Sequence, residues 1–197
     1  MTPEIGVFAI FFAAVFTNNI LLTNYLGMCS FLGASREVKT ALGLGAAVIF
    51  VMAATSALNW LVYEYVLLRF GLVHFRFIVF IIVIAAFVQI VEMIIERVSE
   101  VLYAALGIFL PLITVNCAIL GVSLFMVIRN YGFAQAFFYG LGSGLGWALA
   151  IVAMAGIREK LARARIPRGL EGAGITLIIA GIMALAFMGF NGMMNIN

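Results

Sequence analysis

The sequence has 197 residues, of which 66% are hydrophobic and 10% are charged, and its mean hydropathy is +1.23. This composition excludes a soluble globular protein and is typical of an integral membrane protein. The net charge is only +3, and the charged residues lie mainly between apolar stretches. No segment remains for a soluble nucleotide-binding or flavin-binding domain, and we expect no nucleic-acid partner.

Six apolar stretches are long enough to cross about 30 Å of hydrocarbon, which takes about 20 helical residues. We therefore predict an all-α integral membrane protein that forms a single membrane domain over residues 1–197. The six predicted transmembrane helices cover residues 5–33, 41–63, 76–95, 101–128, 134–157 and 172–192.

The first predicted span is too long for one straight helix. Residues 5–33 would extend about 43 Å at about 1.5 Å per residue. Three amides, Asn18, Asn19 and Asn24, lie in its interior. Such side chains can satisfy the backbone groups that a helix break exposes. We predict a broken helix; the alternative is an ordinary kinked span in which asparagines form hydrogen bonds between helices.

The third predicted span carries an acidic residue near its cytoplasmic end. Glu92 follows Gln89, Ile90 and Val91, and a carboxylate in apolar surroundings is costly unless it is paired, hydrated or protonated. Two interpretations stay open. Glu92 is either a cation-uptake site or an interfacial acid that reaches water beside Arg97.

The fourth and fifth spans repeat features of the first and second. Pro111, Thr114 and Asn116 predict a break in the fourth span. The sequence Cys-Ala-Ile-Leu-Gly, which begins at Cys117, matches Cys-Ser-Phe-Leu-Gly, which begins at Cys29. We call these two five-residue sequences the cysteine phrases. A Gly-Leu-Gly sequence follows each phrase, at 43–45 and at 140–142, and these glycines, with Gly144 and Gly146, should allow the second and fifth helices to approach their neighbours closely. Because each half, about 1–97 and about 98–197, holds three spans, we predict two inverted repeats with broken first and fourth helices.

The basic residues predict the orientation of the chain. With the N-terminus outside, the outer loops would hold three basic residues: Arg69, Arg76 and Arg129. The cytoplasmic loops would hold eight: Arg36, Lys39, Arg97, Arg158, Lys160, Arg163, Arg165 and Arg168. We expect a bacterial inner-membrane protein with both termini in the periplasm. The run that begins at Arg158 is interpreted as a topology determinant and lipid contact, or alternatively as a docking site for a soluble subunit.

Cys29 and Cys117 are the only cysteines. They could be packed thiols that behave as small hydrophobic groups, a disulfide, or metal ligands. A tetrathiolate iron-sulfur or zinc centre needs four thiolates. If these residues are ligands, the chain provides half of a site, and a partner must provide the other half.

The two cysteine phrases also carry a resemblance to a known family. The stretch from Leu106 to Ile119, which reads LGIFLPLITVNCAI, and the sequence Leu26-Gly27-Met28-Cys29 resemble the family that unites the E subunit of the sodium-translocating NADH:quinone oxidoreductase (Nqr) with the A subunit of the related Rnf complex. Residues 144–153 and 155–160 are similar to the Nqr branch, and residues 17–19 to the Rnf branch. The resemblance covers essentially the whole chain.

The resemblance implies a specific role for the cysteines. It implies that Cys29 and Cys117 ligate a 2Fe-2S cluster at the membrane midplane, shared with a paralogous six-span protein of the same complex (the D subunit in Nqr, the E subunit in Rnf). It also implies a six-subunit complex whose other subunits hold flavins and the sites for NADH or ferredoxin. Electrons would cross the bilayer, in Nqr toward ubiquinone, while Na⁺ or H⁺ is exported. The position of Glu92 is associated in the family with cation uptake.

Two other functions remain open from the residues alone. Inverted repeats with broken helices also suit a stand-alone secondary transporter whose cysteines are merely packed. A structural scaffold would keep its activity after both cysteines were replaced.

Overall fold

The computed structural model describes residues 6–98, 113–164 and 172–189, and all regular structure within them is helical. The helices are α1 Val7–Phe12, α2 Met28–Ala34, α3 Val38–Val62, α4 Arg76–Val98, α5 Cys117–Ile128, α6 Phe133–Leu161 and α7 Ala173–Met188. A π-helical turn, Ala13–Thr17, extends α1, and a second, Tyr63–Leu67, extends α3 as far as Phe70.

The membrane character predicted from composition is confirmed. Three helical segments are long and apolar enough to cross a membrane: Val38–Phe70, Val73–Ile94 and Phe133–Leu161. Three shorter apolar helices correspond to parts of the other predicted spans: Val7–Thr17, Cys117–Ile128 and Ala173–Met188. The prediction of six complete spans as inverted repeats is not tested, because residues 99–112, which include Pro111, lie outside the described part of the chain.

The first span is broken, as its length and asparagines predict. Helical structure ends at Thr17 and resumes at Met28. Asn19 is fully buried in the break, where its Oδ1 accepts hydrogen bonds from the backbone N–H groups of Leu21 and Leu22, at 3.1 and 3.3 Å. Its Nδ2 donates to the carbonyl of Gly146 in α6 at 2.8 Å. A single amide therefore replaces lost helical hydrogen bonds and ties the break to α6.

Helices α3 and α6 pack closely at the centre of the molecule. A Cβ atom placed on Gly140 would lie 2.8 Å from the carbonyl of Met52, and one on Gly144 would lie 2.8 Å from Ile49 Cα. Gly45 similarly faces Ala148. Since the contacts move down α3 as they move up α6, the two helices are antiparallel. Small residues thus allow the close helix contact predicted from the glycine pattern.

The remaining helices surround this central pair. α1 runs parallel to α6, with Gly142 against the Phe11 carbonyl and Gly146 against the Val15 carbonyl. By contrast, α4 and α7 present broad apolar faces on the outside of the chain. Their exposed side chains include Phe77, Ile78, Ile82, Ile90 and Ile94 in α4 and Leu177, Ile182 and Leu185 in α7. Such faces suit lipid or neighbouring membrane proteins.

Candidate cysteine site

Cys29 lies at the start of a half-helix. The break in the first span ends with Gly27 in the left-handed conformation, at φ 85°, and α2 begins at Met28. The side chain of Cys29 is exposed and free of any disulfide. Ser30 and Phe31, which follow it, are buried. Cys29 therefore lies on the outer side of a helix whose other side is anchored in the core.

Cys117 occupies the matching place in the second half of the chain. A turn at Val115 precedes Asn116, and α5 begins at Cys117. The Oδ1 atom of Asn116 accepts a hydrogen bond from the N–H of Ala118 at 3.0 Å, which caps the helix. Cys117 is also exposed and free. Both cysteines thus stand at the start of a half-helix that follows a non-helical turn.

The structure brings the two cysteine segments together. The backbone N–H of Gly27 donates a hydrogen bond to the Sγ atom of Cys117 at 2.9 Å. Asn116 also donates to Ser30 Oγ at 3.3 Å. Cys29 is the second residue after Gly27, which corresponds to at most about 7.6 Å between their Cα atoms. The thiol of Cys117 therefore lies beside the loop that presents Cys29.

Gly27 fills a position that no larger residue can take. Its φ is positive, and a Cβ atom there would lie 2.7 Å from Trp147 Nε1 and 3.1 Å from Ala118 Cβ. Trp147 is completely buried in α6, and its Nε1 has no hydrogen-bond partner within the described residues. The indole therefore forms a wall behind Gly27, with its Nε1 edge nearest the glycine.

The donor set fits half of an iron-sulfur centre. Fe-S clusters are held by four thiolates, and hydrogen bonds to sulfur tune their potentials. This chain offers two exposed thiols on adjacent segments, one of which already accepts an N–H bond. In the described ranges, no group of three or more His, Cys, Asp or Glu side chains could hold a metal ion. The exposure of both thiols leaves room for ligands from outside the chain.

Arg158 has a contact that was not predicted from the basic run. Its Nη1 donates to the Leu32 carbonyl at 3.0 Å and to Ser35 Oγ at 2.7 Å, at the end of α2. The next residue, Glu159, accepts from the N–H of Val38 at 3.2 Å, where α3 begins. Lys160 and Arg163 are exposed. The first two residues of the run therefore bind within the chain, and the topology, lipid and docking roles stay predictions for the others.

A second polar contact between the two halves of the chain was also not predicted. Asn59 in α3 donates through Nδ2 to Ser123 Oγ at 2.8 Å, and Ser123 in turn donates to the Ile119 carbonyl in α5. The two serine acceptors have a signal in the sequence. Ser35 and Ser123 each lie six residues after a cysteine, so the repeat of the two cysteine phrases extends to these serines.

Glu92 lies in α4, away from the cysteine segments along the chain. Its side chain is half-buried, and neighbouring Glu96 and Arg97 are exposed. No hydrogen bond or ion pair involves Glu92 in the portion of the chain that the structure describes. The position agrees with both interpretations of this residue, so its role stays a prediction.

Known proteins provide an independent comparison. Residues 7–194 match the model of the Rnf-Nqr family, described as "Rnf-Nqr subunit, membrane protein". The chain is 56% identical over 190 residues to the E subunit of the Na(+)-translocating NADH-quinone reductase of Serratia proteamaculans, with 93% of this chain and 96% of that protein covered. It is 52% identical over 194 residues to the protein of the same name from Nitrosomonas europaea, with the same coverage. It is also 50% identical over 184 residues to the A subunit of the Na(+)-translocating ferredoxin:NAD(+) oxidoreductase complex of Acetobacterium woodii, again covering 93% and 96%.

Proposed function

Because the chain belongs to the Rnf-Nqr family of membrane subunits, we propose that it is a membrane subunit of a Na⁺-translocating NADH:quinone oxidoreductase. Relatives at 56% and 52% identity carry the name of that complex. The corresponding subunit of the Rnf ferredoxin:NAD⁺ oxidoreductase is the second candidate, supported by a relative at 50% identity.

Within that complex, we propose that Cys29 and Cys117 provide two of the four thiolates of a 2Fe-2S cluster. One observation carries this proposal: two exposed thiols start two half-helices that are joined by the hydrogen bond from Gly27 to Cys117. A paralogous six-span subunit of opposite orientation would provide the other two thiolates. When bound, the cluster supplies one-electron transfer within the bilayer.

The residues of this chain would hold and shield such a centre. Cys29 and Cys117 are both exposed on adjacent segments, and the Gly27 N–H stabilises negative charge on the Cys117 sulfur. Trp147 closes the space behind Gly27 and excludes water from that side. The chain leaves the other side of both sulfurs open to a partner, in keeping with a shared site.

Replacement of each cysteine tests the cluster directly. In the complex purified from cells that express all its subunits, Cys29→Ala or Cys117→Ala should abolish the contribution of this cluster to the 2Fe-2S absorbance and to the electron paramagnetic resonance (EPR) spectrum. Electron transfer from NADH to quinone should also stop. Val115→Ala is the matched control, because Val115 is exposed beside Cys117 but has no thiol. Normal iron content and turnover in both cysteine variants would refute cluster ligation.

The same proposal predicts that the cluster depends on a partner. The chain purified alone should lack a stable 2Fe-2S absorbance, and that absorbance should appear on co-purification with the paralogous subunit. A secondary transporter would instead bind its solute without the paralogue. The proposed location is the bacterial inner membrane with both termini periplasmic, supported by the excess of basic residues in the predicted cytoplasmic loops.

Glu92 is proposed as a residue of the cation pathway. A half-buried carboxylate in a membrane helix favours cation binding when it can be reached by water. In Glu92→Gln, the dependence of quinone reduction on Na⁺ concentration should weaken, while Glu96→Gln, four residues on and exposed, should leave it unchanged. An identical Na⁺ titration in Glu92→Gln and wild type would remove Glu92 from the pathway.

A further inference from the structure

Two buried serines occupy equivalent places in the two halves of the chain. Ser35 lies six residues after Cys29, Ser123 lies six residues after Cys117, and both are completely buried. Each accepts a hydrogen bond from a long helix of the opposite half of the sequence. Arg158 of α6 donates to Ser35 at 2.7 Å, and Asn59 of α3 donates to Ser123 at 2.8 Å.

Each of these hydrogen bonds holds a cysteine-bearing half-helix at a point close to its cysteine. Arg158 also donates to the carbonyl of Leu32 at 3.0 Å, three residues after Cys29. The hydroxyl of Ser123 in turn donates a hydrogen bond, at 3.1 Å, to the carbonyl of Ile119, which lies two residues after Cys117. Each donor therefore fixes backbone within about one helical turn of a thiol.

The half-helices need such anchors. α2 has only seven residues, and a helix that short is not stable without tertiary contacts. Its contact with Arg158 is charge-assisted, which makes a hydrogen bond roughly twice as strong as a neutral one. The contact in α5 is neutral, and the Asn59 Oδ1 atom is buried with no partner in the described residues. The two anchors are thus equivalent in place but unequal in strength.

We propose that Arg158 and Asn59 are positioning residues, each of which holds one cysteine-bearing half-helix from the opposite half of the chain. Arg158 sets the position of Cys29 through Leu32 and Ser35. Asn59 sets the position of Cys117 through Ser123. This inference rests on the proposed ligation of a 2Fe-2S cluster by the two cysteines.

The test uses the assembled complex and two properties of the cluster itself. These are the EPR spectrum of the reduced cluster and the rate at which an iron chelator bleaches its absorbance. Loss of a residue that orients a ligand typically weakens a metal site about 10–100-fold. In Arg158→Gln, we expect the chelator to bleach the cluster absorbance roughly 10-fold faster than in wild type, and we expect the EPR lines to shift. Asn59→Leu should act in the same direction but less strongly.

Two milder variants and a control complete the design. Ser35→Ala removes one of the two acceptors of Arg158, and Ser123→Ala removes the acceptor of Asn59, so each tests the inference even if Arg158→Gln does not assemble. Both should speed bleaching and shift the EPR lines. Lys160→Gln removes an exposed positive charge two residues from Arg158 and should leave both properties unchanged.

The outcomes separate the inference from the function it rests on. A wild-type complex without a 2Fe-2S signal would overturn the proposed function and the inference with it. A wild-type signal together with unaltered spectra and bleaching rates in the assembled variants would overturn the inference alone. Reduced yield with a wild-type spectrum and rate in the surviving complex would also overturn it, because that result describes a purely structural contact.

Discussion

The two breaks that precede the cysteines are built in different ways. The first is long: it extends from Asn18 to Gly27 and includes left-handed residues at Tyr25, φ 55°, and Gly27, φ 85°. It is held by Asn19, which binds both the break and α6. The second is short where it is described, and Asn116, the residue just before the following helix, caps that helix.

The difference teaches which parts of the cysteine site depend on the rest of the molecule. The first break keeps its shape through contacts with α6, more than 120 residues away in the sequence. The second is capped locally by Asn116, whose only long-range bond in the described residues is a 3.3 Å contact from its Nδ2 to Ser30 Oγ. Damage to the first break should therefore affect stability and the cysteine site more than equivalent damage to the second.

The largest effect is expected at Gly27. Gly27→Ala places a Cβ 2.7 Å from Trp147 Nε1, and overpacking of this kind typically costs about 1–3 kcal/mol. The left-handed backbone adds about 1–2 kcal/mol. We expect a lower melting temperature of the purified complex and a lower iron content, because the N–H bond to Cys117 moves with the backbone.

Gly71→Ala is the matched control for this substitution. Gly71 is also left-handed, at φ 67°, but nothing lies within 4 Å of the position of its Cβ. Only the backbone cost of about 1–2 kcal/mol is expected there, with normal iron content. Equal losses of stability in the two variants, with iron retained in both, would show that the wall formed by Trp147 has no special role.

The combined loss of stability and iron is expected to be smaller at Asn19, whose side chain binds neither cysteine in the described residues, and smallest at Asn116. Asn19→Leu leaves the buried N–H groups of Leu21 and Leu22 without their acceptor, and each such group costs about 1–3 kcal/mol. Asn116→Ala removes one helix cap, worth about 1 kcal/mol, and the 3.3 Å hydrogen bond to Ser30. The melting temperature should fall more in Asn19→Leu than in Asn116→Ala.

Asn24→Ala provides the baseline for both variants. Asn24 is exposed, and its side-chain contact is a 3.3 Å hydrogen bond to the adjacent Thr23. Its replacement should change the melting temperature little. If Asn116→Ala proved as damaging as Asn19→Leu, the distinction between a remotely held break and a locally capped one would be wrong.

Much of this arrangement could be predicted because it depends on local sequence. The excess length of the first span and its asparagines predicted the break, and Asn19 has the predicted role. The repeated cysteine phrase predicted equivalent places for Cys29 and Cys117, and each of them lies at the start of a half-helix. The glycines of the fifth span predicted a close helix contact, which Gly140 and Gly144 make with α3.

The remaining features depend on contacts between distant segments. Nothing in the basic run distinguishes Arg158, which binds the end of α2, from Lys160, which is exposed. The hydrogen bond from Gly27 to Cys117 joins residues 90 positions apart. The packing of Trp147 behind Gly27 is not revealed by its sequence neighbours. Such roles are set by tertiary packing, which a single sequence does not display.

The glycine contact between α3 and α6 has a mechanical consequence. Where Gly140 and Gly144 meet α3, the backbone of α6 lies against the Met52 carbonyl and Ile49 Cα, with only the short Ser56 side chain and the Ile49 side chain beside it. Close-packed interiors transmit displacement rather than absorb it. We therefore expect the central pair to behave as a stiff unit and any rearrangement during turnover to involve the shorter helices packed around it, such as α2 and α5.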